Sequence, residues 1–361
     1  MTLQTPAAPP ETRAPLPPLA PSSRERLARA LSFRNASAVY LLVLLVVVFS
    51  LWEPNSFLTT QTWRLLFDNQ AISGIVAIGL VLPLSAGVVD LAVGSEVGVG
   101  AILSAWMLSR LSLTIPAVVV LTLLAGAAIG VTLTLLVVRA RISSFIATLA
   151  MSSILLALID WVSGSQQILG LGTRFQDLAT GQLLGVTYPV YVLAVLSLVV
   201  WWLLDRTALG RRVHATGGNL DAARLAGVRT SRVILFATVG CGMITAVAGI
   251  LASSQLATGD PTISTSYLLP AFAAAFLGST QFQGGRFNVL GTLVAVALLA
   301  VGVEGFELAG APIWLPDLFD GVALLLAVGF AQVQTRPTAR TAAIRRILRG
   351  GRTDAAPDHA S

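Results

Sequence analysis

Lysine is missing from the 361-residue sequence, so all 23 of its basic side chains are arginine. A phosphate-binding loop of the GxxxxGK[ST] type sets a lysine against the phosphates, and this chain cannot build one. Schiff-base chemistry on a lysine amine is excluded for the same reason. Cysteine occurs once, as Cys241 in an apolar run, which rules out an intrachain disulfide and a CxxC site. The two histidines, His214 and His359, lie far apart in polar segments, so no metal site is expected. Charge is scarce as well: 11% of residues are charged and 55% are hydrophobic, with a mean hydropathy of +0.82. Soluble domains carry about 25% charged residues, whereas an ionised side chain in hydrocarbon costs several kcal/mol. This composition points to a polytopic membrane protein.

What is present is a series of apolar runs. They fall at roughly 37–52, 66–87, 91–109, 114–138, 145–163, 188–204, 231–256, 267–279, 288–308 and 312–333. A crossing helix needs about 20 residues, or about 17 at the short end. The expected fold is therefore an all-α polytopic membrane protein of about ten transmembrane helices, with 267–279 as a half-helix or re-entrant piece. Residues 1–35, rich in proline and arginine, read as a disordered basic cytoplasmic tail. Residues 36–334 form the transmembrane domain, and 335–361 a second basic tail. Arginine clusters at 24–34, 139–141, 206–232, 286 and 336–352 fall in the even-numbered gaps. The positive-inside rule then places both termini in the cytoplasm. An offset of five segments reverses orientation, so segments two to five and seven to ten are candidates for an inverted repeat. The glycine-interrupted stretches at 87–100 and 278–291 are its faint echo.

The stretch "LPLSAGVVDLAVGSEVGVGAILSA" puts Asp90 and Glu96 among Gly87, Gly94, Gly98 and Gly100. A broken helix is tolerated in a membrane only where protein or a water-filled cavity covers its backbone. Asp90 is expected to cap the following helix at Val93 or Gly94, with direct contact to substrate hydroxyls as the other reading. Glu96, one turn on, is expected on the wall of the pathway. Asn69, Phe145, Thr148 and Glu304 join the pathway candidates. Glu304 and Glu307, three apart, share a helix face and lie at the outer end of the pore or the outer interface. Trp161, Trp201, Trp202 and Trp314 suit interfacial anchors.

The polar segment 206–231 reads "RTALGRRVHATGGNLDAARLAGVRTS". Gly217 and Gly218 break it. Asn219 or Asp221 can cap a short helix over "DAARLAG", and Gly227 suits its C-terminal end. Ala222, Ala223 and Ala226 would give it one small apolar face. It is either an ordinary amphipathic connector or a docking helix for a cytoplasmic partner.

With these residues in view, four motifs carry a resemblance: "GLVLPLSAGVVDLAVGS", "SSFIATLAMSSI", "LGRRVHATGGNLDAARLAGV" and "FLGSTQFQGGRFNVLGTLVAVAL". In this order and spacing they resemble the permease subunits of ABC importers for monosaccharides of the ribose, xylose and arabinose type, over about 40–330 of this chain. The resemblance implies a second permease chain, a homodimer by expectation, and a cytoplasmic ATP-binding subunit that holds the ATP and magnesium. It also implies a periplasmic or lipid-anchored sugar-binding protein. No cofactor and no catalytic residue would belong to this chain, and no nucleic acid is implied. The segment with Gly217, Gly218, Asn219, Asp221, Ala222, Ala223, Arg224 and Gly227 corresponds to the family's ATPase-coupling region. The sequence departs from the family at Gly87-Val88, Ala92, Ser144, Asp160, Glu304 and Glu307, which bears on substrate more than on fold.

Two other classes compete. An ion-coupled secondary transporter of a small polar solute also uses broken helices and membrane acids, but needs no ATPase-docking helix. An intramembrane enzyme needs a nucleophile and base, or metal ligands, at membrane depth. The sequence offers no histidine there and spreads its carboxylates without a metal-like cluster.

Overall fold

The computed structural model describes residues 37–282 and 285–335. The expected basic tails lie outside the described residues. Helices dominate: α1 (Ser37–Trp52), α2 (Pro54–Phe57), α3 (Thr60–Ser85), α4 (Val93–Leu111), α5 (Ile115–Thr134), α6 (Ser144–Ser163), α7 (Thr173–Thr180) and α8 (Tyr188–Arg206). They continue with α9 (Ala208–Gly218), α10 (Leu220–Leu225), α11 (Thr230–Leu256), α12 (Thr265–Ser279), α13 (Val289–Leu308) and α14 (Leu315–Thr335). A π-helical turn, Leu135–Arg139, extends α5, and a 3-10 turn, Pro261–Ser264, leads into α12. One antiparallel hairpin, β1 (Gln182–Leu183) with β2 (Val186–Thr187), precedes α8.

Among the described residues, seven helical segments are long and apolar enough to cross a membrane: Thr60–Ser85, Ile115–Arg139, Ser144–Ser163, Tyr188–Arg206, Thr230–Leu256, Pro261–Ser279 and Val289–Leu308. The chain is a multi-pass membrane protein. The expected half-helix or re-entrant piece at 267–279 starts before its apolar run, and with its 3-10 turn Pro261–Ser279 reaches 19 residues. The Asp260 carboxylate accepts the Thr262 N–H at 2.8 Å and starts that turn. The polar letters of "DPTISTS" hid the beginning of a helix.

The core forms around α11, which packs on α3, α4 and α5. Lipid tails are as apolar as leucine, so helices in a bilayer associate through close packing and hydrogen bonds instead of hydrophobic drive. Glycine spacing provides that closeness. A side chain at Gly126 would strike the Gly242 backbone, and one at Gly130 would strike Thr238. The backbones of α5 and α11 are therefore in contact, and the Thr238 hydroxyl donates to the Gly130 carbonyl at 2.8 Å. By contrast α6 and α8 turn Phe145, Ile146, Ile154, Val195 and Leu198 outward, as lipid-facing surfaces do. Trp161, Trp202 and Trp314 are exposed near helix ends.

Candidate functional site

The break between α3 and α4 begins with a left-handed glycine. Gly87 has φ +81°, a conformation that glycine adopts at little cost. The Val88 N–H donates to the Pro83 carbonyl at 2.9 Å and the Gly87 N–H to Leu84 at 3.1 Å. These two bonds close α3 in a Schellman motif. Asp90 follows, fully buried. Its Oδ1 accepts the Ala92 N–H at 3.0 Å. That corrects the expected cap at Val93 or Gly94: the carboxylate holds the turn before α4, because Ala92 itself is the first residue whose carbonyl enters the helix, accepting the Glu96 N–H at 2.8 Å. The break is tied to α6 as well. The Ser144 hydroxyl accepts the Val89 N–H at 3.4 Å, and the Thr148 hydroxyl, donating mainly to Ser144 at 2.9 Å, lies 3.3 Å from the Val89 carbonyl.

Glu96 does not line an open wall, as the sequence reading expected; it is buried against α11. The Thr245 hydroxyl donates to its Oε2 at 2.8 Å. Asp90, Glu96 and Cys241, all buried, each offer a ligand atom within 4.8 Å of the others. The carboxylates thus come closer to a cluster than their spacing in sequence implied, since α11 brings Cys241 to them. Oδ2 of Asp90 and Oε1 of Glu96 have no hydrogen-bond partner among the described residues. Such an acidic pair can hold a proton or a small cation. Three ligands without histidine fall short of the four of a structural zinc site. Gly94 and Gly98 exist for packing: a side chain at either would collide with Ser264, which leads into α12.

The second part of the site is the α9–α10 segment. Thr207 caps α9 by accepting the Gly210 N–H at 3.2 Å. Asn219, not Asp221, caps α10 by accepting the Ala222 N–H at 2.9 Å. Gly227, with φ +80°, closes α10 in the same motif as Gly87: Gly227 N–H to Arg224 at 2.9 Å and Val228 N–H to Ala223 at 3.0 Å. Asp221 and Arg224 form an exposed pair at 3.9 Å, and surface pairs of this kind stabilise by about 0–1 kcal/mol. Ala223 is 4% exposed and faces inward, whereas Leu225 is 91% exposed. The outward surface of α10 thus carries Ala222, Leu225 and Ala226. A cavity of about 510 Å³ adjoins it, with Arg212, Arg229 and Arg232 in its lining. On α9, burial and then the Arg286 charge lower the pKa of His214, against the opposing pull of Asp205.

The two parts meet through glycine. Gly217 presses its backbone on the Ser85 carbonyl, and a side chain at Gly87 would lie 3.1 Å from the Gly217 Cα. The neighbouring Gly218 has open space around it. The structure therefore brings Gly217 to the break that holds Asp90. It leaves Asn69 and Phe145 exposed and Glu304 half-buried. Thr148 is buried beneath the break and not open to a pathway. Sequence reasoning missed the roles of Cys241, Thr245 and Ser144, which only tertiary packing reveals. It also missed helix α9, for which Thr207 followed by "ALGRRV" was a usable cap signal.

Residues 69–328 match the family model described as branched-chain amino acid transport system / permease component. That is more than half of the sequence, and the chain belongs to this family of transport permeases. Its relatives are more particular in what they carry. The ribose import permease of Escherichia coli K12 is 32% identical over 85% of this chain and 96% of its own length. The ribose import permease of Bacillus subtilis is 33% identical over 80% and 89%. The L-arabinose ABC transporter permease of Azospirillum brasilense is 31% identical over 82% and 87%. No solved structure matches the chain.

Proposed function

We propose that this chain is the membrane-spanning permease of an ATP-driven importer of a monosaccharide or related polyol in the bacterial inner membrane. A separate subunit would hydrolyse ATP, and an external binding protein would deliver the solute. The observation that carries the reading is the α9–α10 segment: an extramembrane pair of capped helices that offers a small apolar outward face and touches the helix break through Gly217. An ion-coupled transporter has no use for such a segment. Similarity to ribose and arabinose permeases over most of both chains supports the sugar class. ATP binding can shift the permease only if the ATPase contacts its two states differently, and a rigid path from α10 through Gly217 at the end of α9 to the α3–α4 break would deliver that difference. The absent lysine fits an arrangement in which nucleotide and magnesium are held by the partner.

The reading includes ten crossings with both termini inside, so that the Arg-rich gaps are cytoplasmic, and pairing with a second permease chain. It also includes an inverted repeat, supported by spacing: α11, α12, α13 and α14 start 170 to 174 residues after α3, α4, α5 and α6. On this offset Asp90 pairs with Asp260, and each accepts the N–H two residues on. That pairing is better than the glycine stretches at 87–100 and 278–291.

Reconstitution tests the proposal. The purified permease alone should hydrolyse no ATP, and sugar uptake should require the ATPase and the binding protein. Leu225→Asp should lower ATP-driven uptake at least tenfold while the melting temperature holds. ATP hydrolysis by this chain alone, or uptake driven by an ion gradient without nucleotide, would end the reading.

A further inference from the structure

A second polar site lies apart from the break, between α3, α12, α13 and α14. It is a cavity of about 210 Å³, smaller than the roughly 300–1,000 Å³ of drug-sized sites and therefore suited to a small solute. Gln70 and Ser73 line it from α3, Ser266 from α12, and Asp317 and Asp320 from α14. Val296 and Leu299 of α13 form an apolar wall. Asp320 is only 8% exposed, and its Oδ1 has no hydrogen-bond partner among the described residues. A buried acceptor left unmade costs about 1–3 kcal/mol, so something that enters this cavity should donate to it. Asp317 and Asp320 are three apart and share a helix face.

The donor set selects among solutes. Carboxylates accept only, whereas Gln70 and the two serines both donate and accept. A molecule bearing several hydroxyls matches that mixture, and its C–H face matches Val296 and Leu299. An amine also finds acceptors here, in the acids, the amide oxygen and the hydroxyls, but an ammonium accepts nothing and leaves the Gln70 and serine donors unused. We propose that this cavity is a solute subsite of the translocation pathway. It would take a neutral polyhydroxylated molecule of monosaccharide size, with Asp320 accepting its hydroxyl hydrogens and Gln70, Ser73 and Ser266 completing the ring of partners. The inference rests on the importer reading and locates where that importer's solute touches the permease, in the outer half of the membrane on the proposed topology.

Its test needs neither ATP nor a known substrate. The assembled importer carrying Ser73→Cys is placed in proteoliposomes and treated with small water-soluble methanethiosulfonates, one cationic and one anionic. The wild-type chain, whose only cysteine is buried, provides the background. Ser266→Cys on the opposite wall is the second reporter if the first variant assembles poorly. The new thiol should react, and the cationic reagent should be faster by about tenfold, as an acid-lined cleft concentrates cations. Asp320→Asn should cut that preference severalfold. D-ribose, L-arabinose and ribitol are the probes, and at saturating concentration at least one should slow the reaction. A thiol no more reactive than background would overturn the site. So would a reaction slowed by small amines and by none of the three polyols. Failure of the importer reading shows separately, as sugar uptake that needs no ATP.

Discussion

Glu96 and Thr245 show how one hydroxyl is used inside a membrane protein. The Thr245 hydroxyl already lies 3.1 Å from the Cys241 carbonyl and 3.0 Å from that of Gly242, yet its 2.8 Å contact to Glu96 is the shortest of the three. Removing that donor leaves a buried carboxyl group with no partner on either oxygen, at a cost of about 1–3 kcal/mol. Removing charge from the acid has a different effect. Two carboxylates a few ångströms apart repel when both are ionised, so an amide at position 96 relieves the pair. Thr245→Val is therefore expected to melt several degrees below wild type, and Glu96→Gln at or above it, by thermal unfolding of the detergent-purified protein. If Glu96→Gln were the more damaging of the two, the negative charge itself would be needed, as in a cation-holding site. None of this was legible in the sequence. Glu96 and Thr245 are 149 residues apart, and no local pattern announces that α4 and α11 share a seam. What was legible at this scale was local chemistry: Asn219 as one of two candidate caps, Gly227 as a helix end, and Asp90 as an organiser of its own turn, although one step earlier than expected.

At the scale of elements, two adjacent glycines separate what sequence alone treats as one break. Gly217 and Gly218 both end α9. Only Gly217 is pressed on another backbone, the Ser85–Gly87 end of α3, while nothing lies within 4 Å of a side chain added at Gly218. Backbone cannot yield as a flexible side chain can, so an added methyl group at 217 has to push α9 away from α3. Overpacking of this kind costs about 1–3 kcal/mol. At 218 an alanine meets only solvent and slightly favours the helix. Gly217→Ala should thus reduce ATP-driven uptake strongly, with ATP hydrolysis persisting but no longer stimulated by the loaded binding protein, whereas Gly218→Ala should match wild type in both. Equal behaviour of the two variants would sink the idea that α9 signals to the break by contact. Helix existence along the chain was readable from apolar runs because a crossing helix must satisfy its backbone internally. The start of α12 was not, because its first turn is polar. The inward face of α10 was not either: Ala222 and Ala223 look alike in sequence, and only packing against α11 decides which one is covered.

For the whole molecule, the offset of about 170 residues between α3–α6 and α11–α14 carries a topological consequence. If the two sets run antiparallel, the Asx turn at Asp90 and the one at Asp260 lie on opposite sides of the membrane. The helix that separates them is α11, with 27 residues. At about 1.5 Å per residue it exceeds the roughly 30 Å of hydrocarbon, so its ends emerge on different sides. Two exposed positions report on these ends: Gly218, at the end of α9 in the α9–α10 segment that leads into α11, and Thr262, beyond α11 in the 3-10 turn. Neither substitution enters a packed region, since Gly218 has free space and Thr262 is exposed. In sealed right-side-out vesicles, Thr262→Cys should react with a membrane-impermeant maleimide at once, and Gly218→Cys only after permeabilisation. Labelling of both from outside would place the docking segment where no cytoplasmic ATPase can reach it, and would remove the inverted repeat together with the coupling role of Gly217. The opposite pattern, Gly218→Cys first, would keep the repeat and invert the molecule. The arginine-rich gaps oppose that outcome, because basic loops resist translocation.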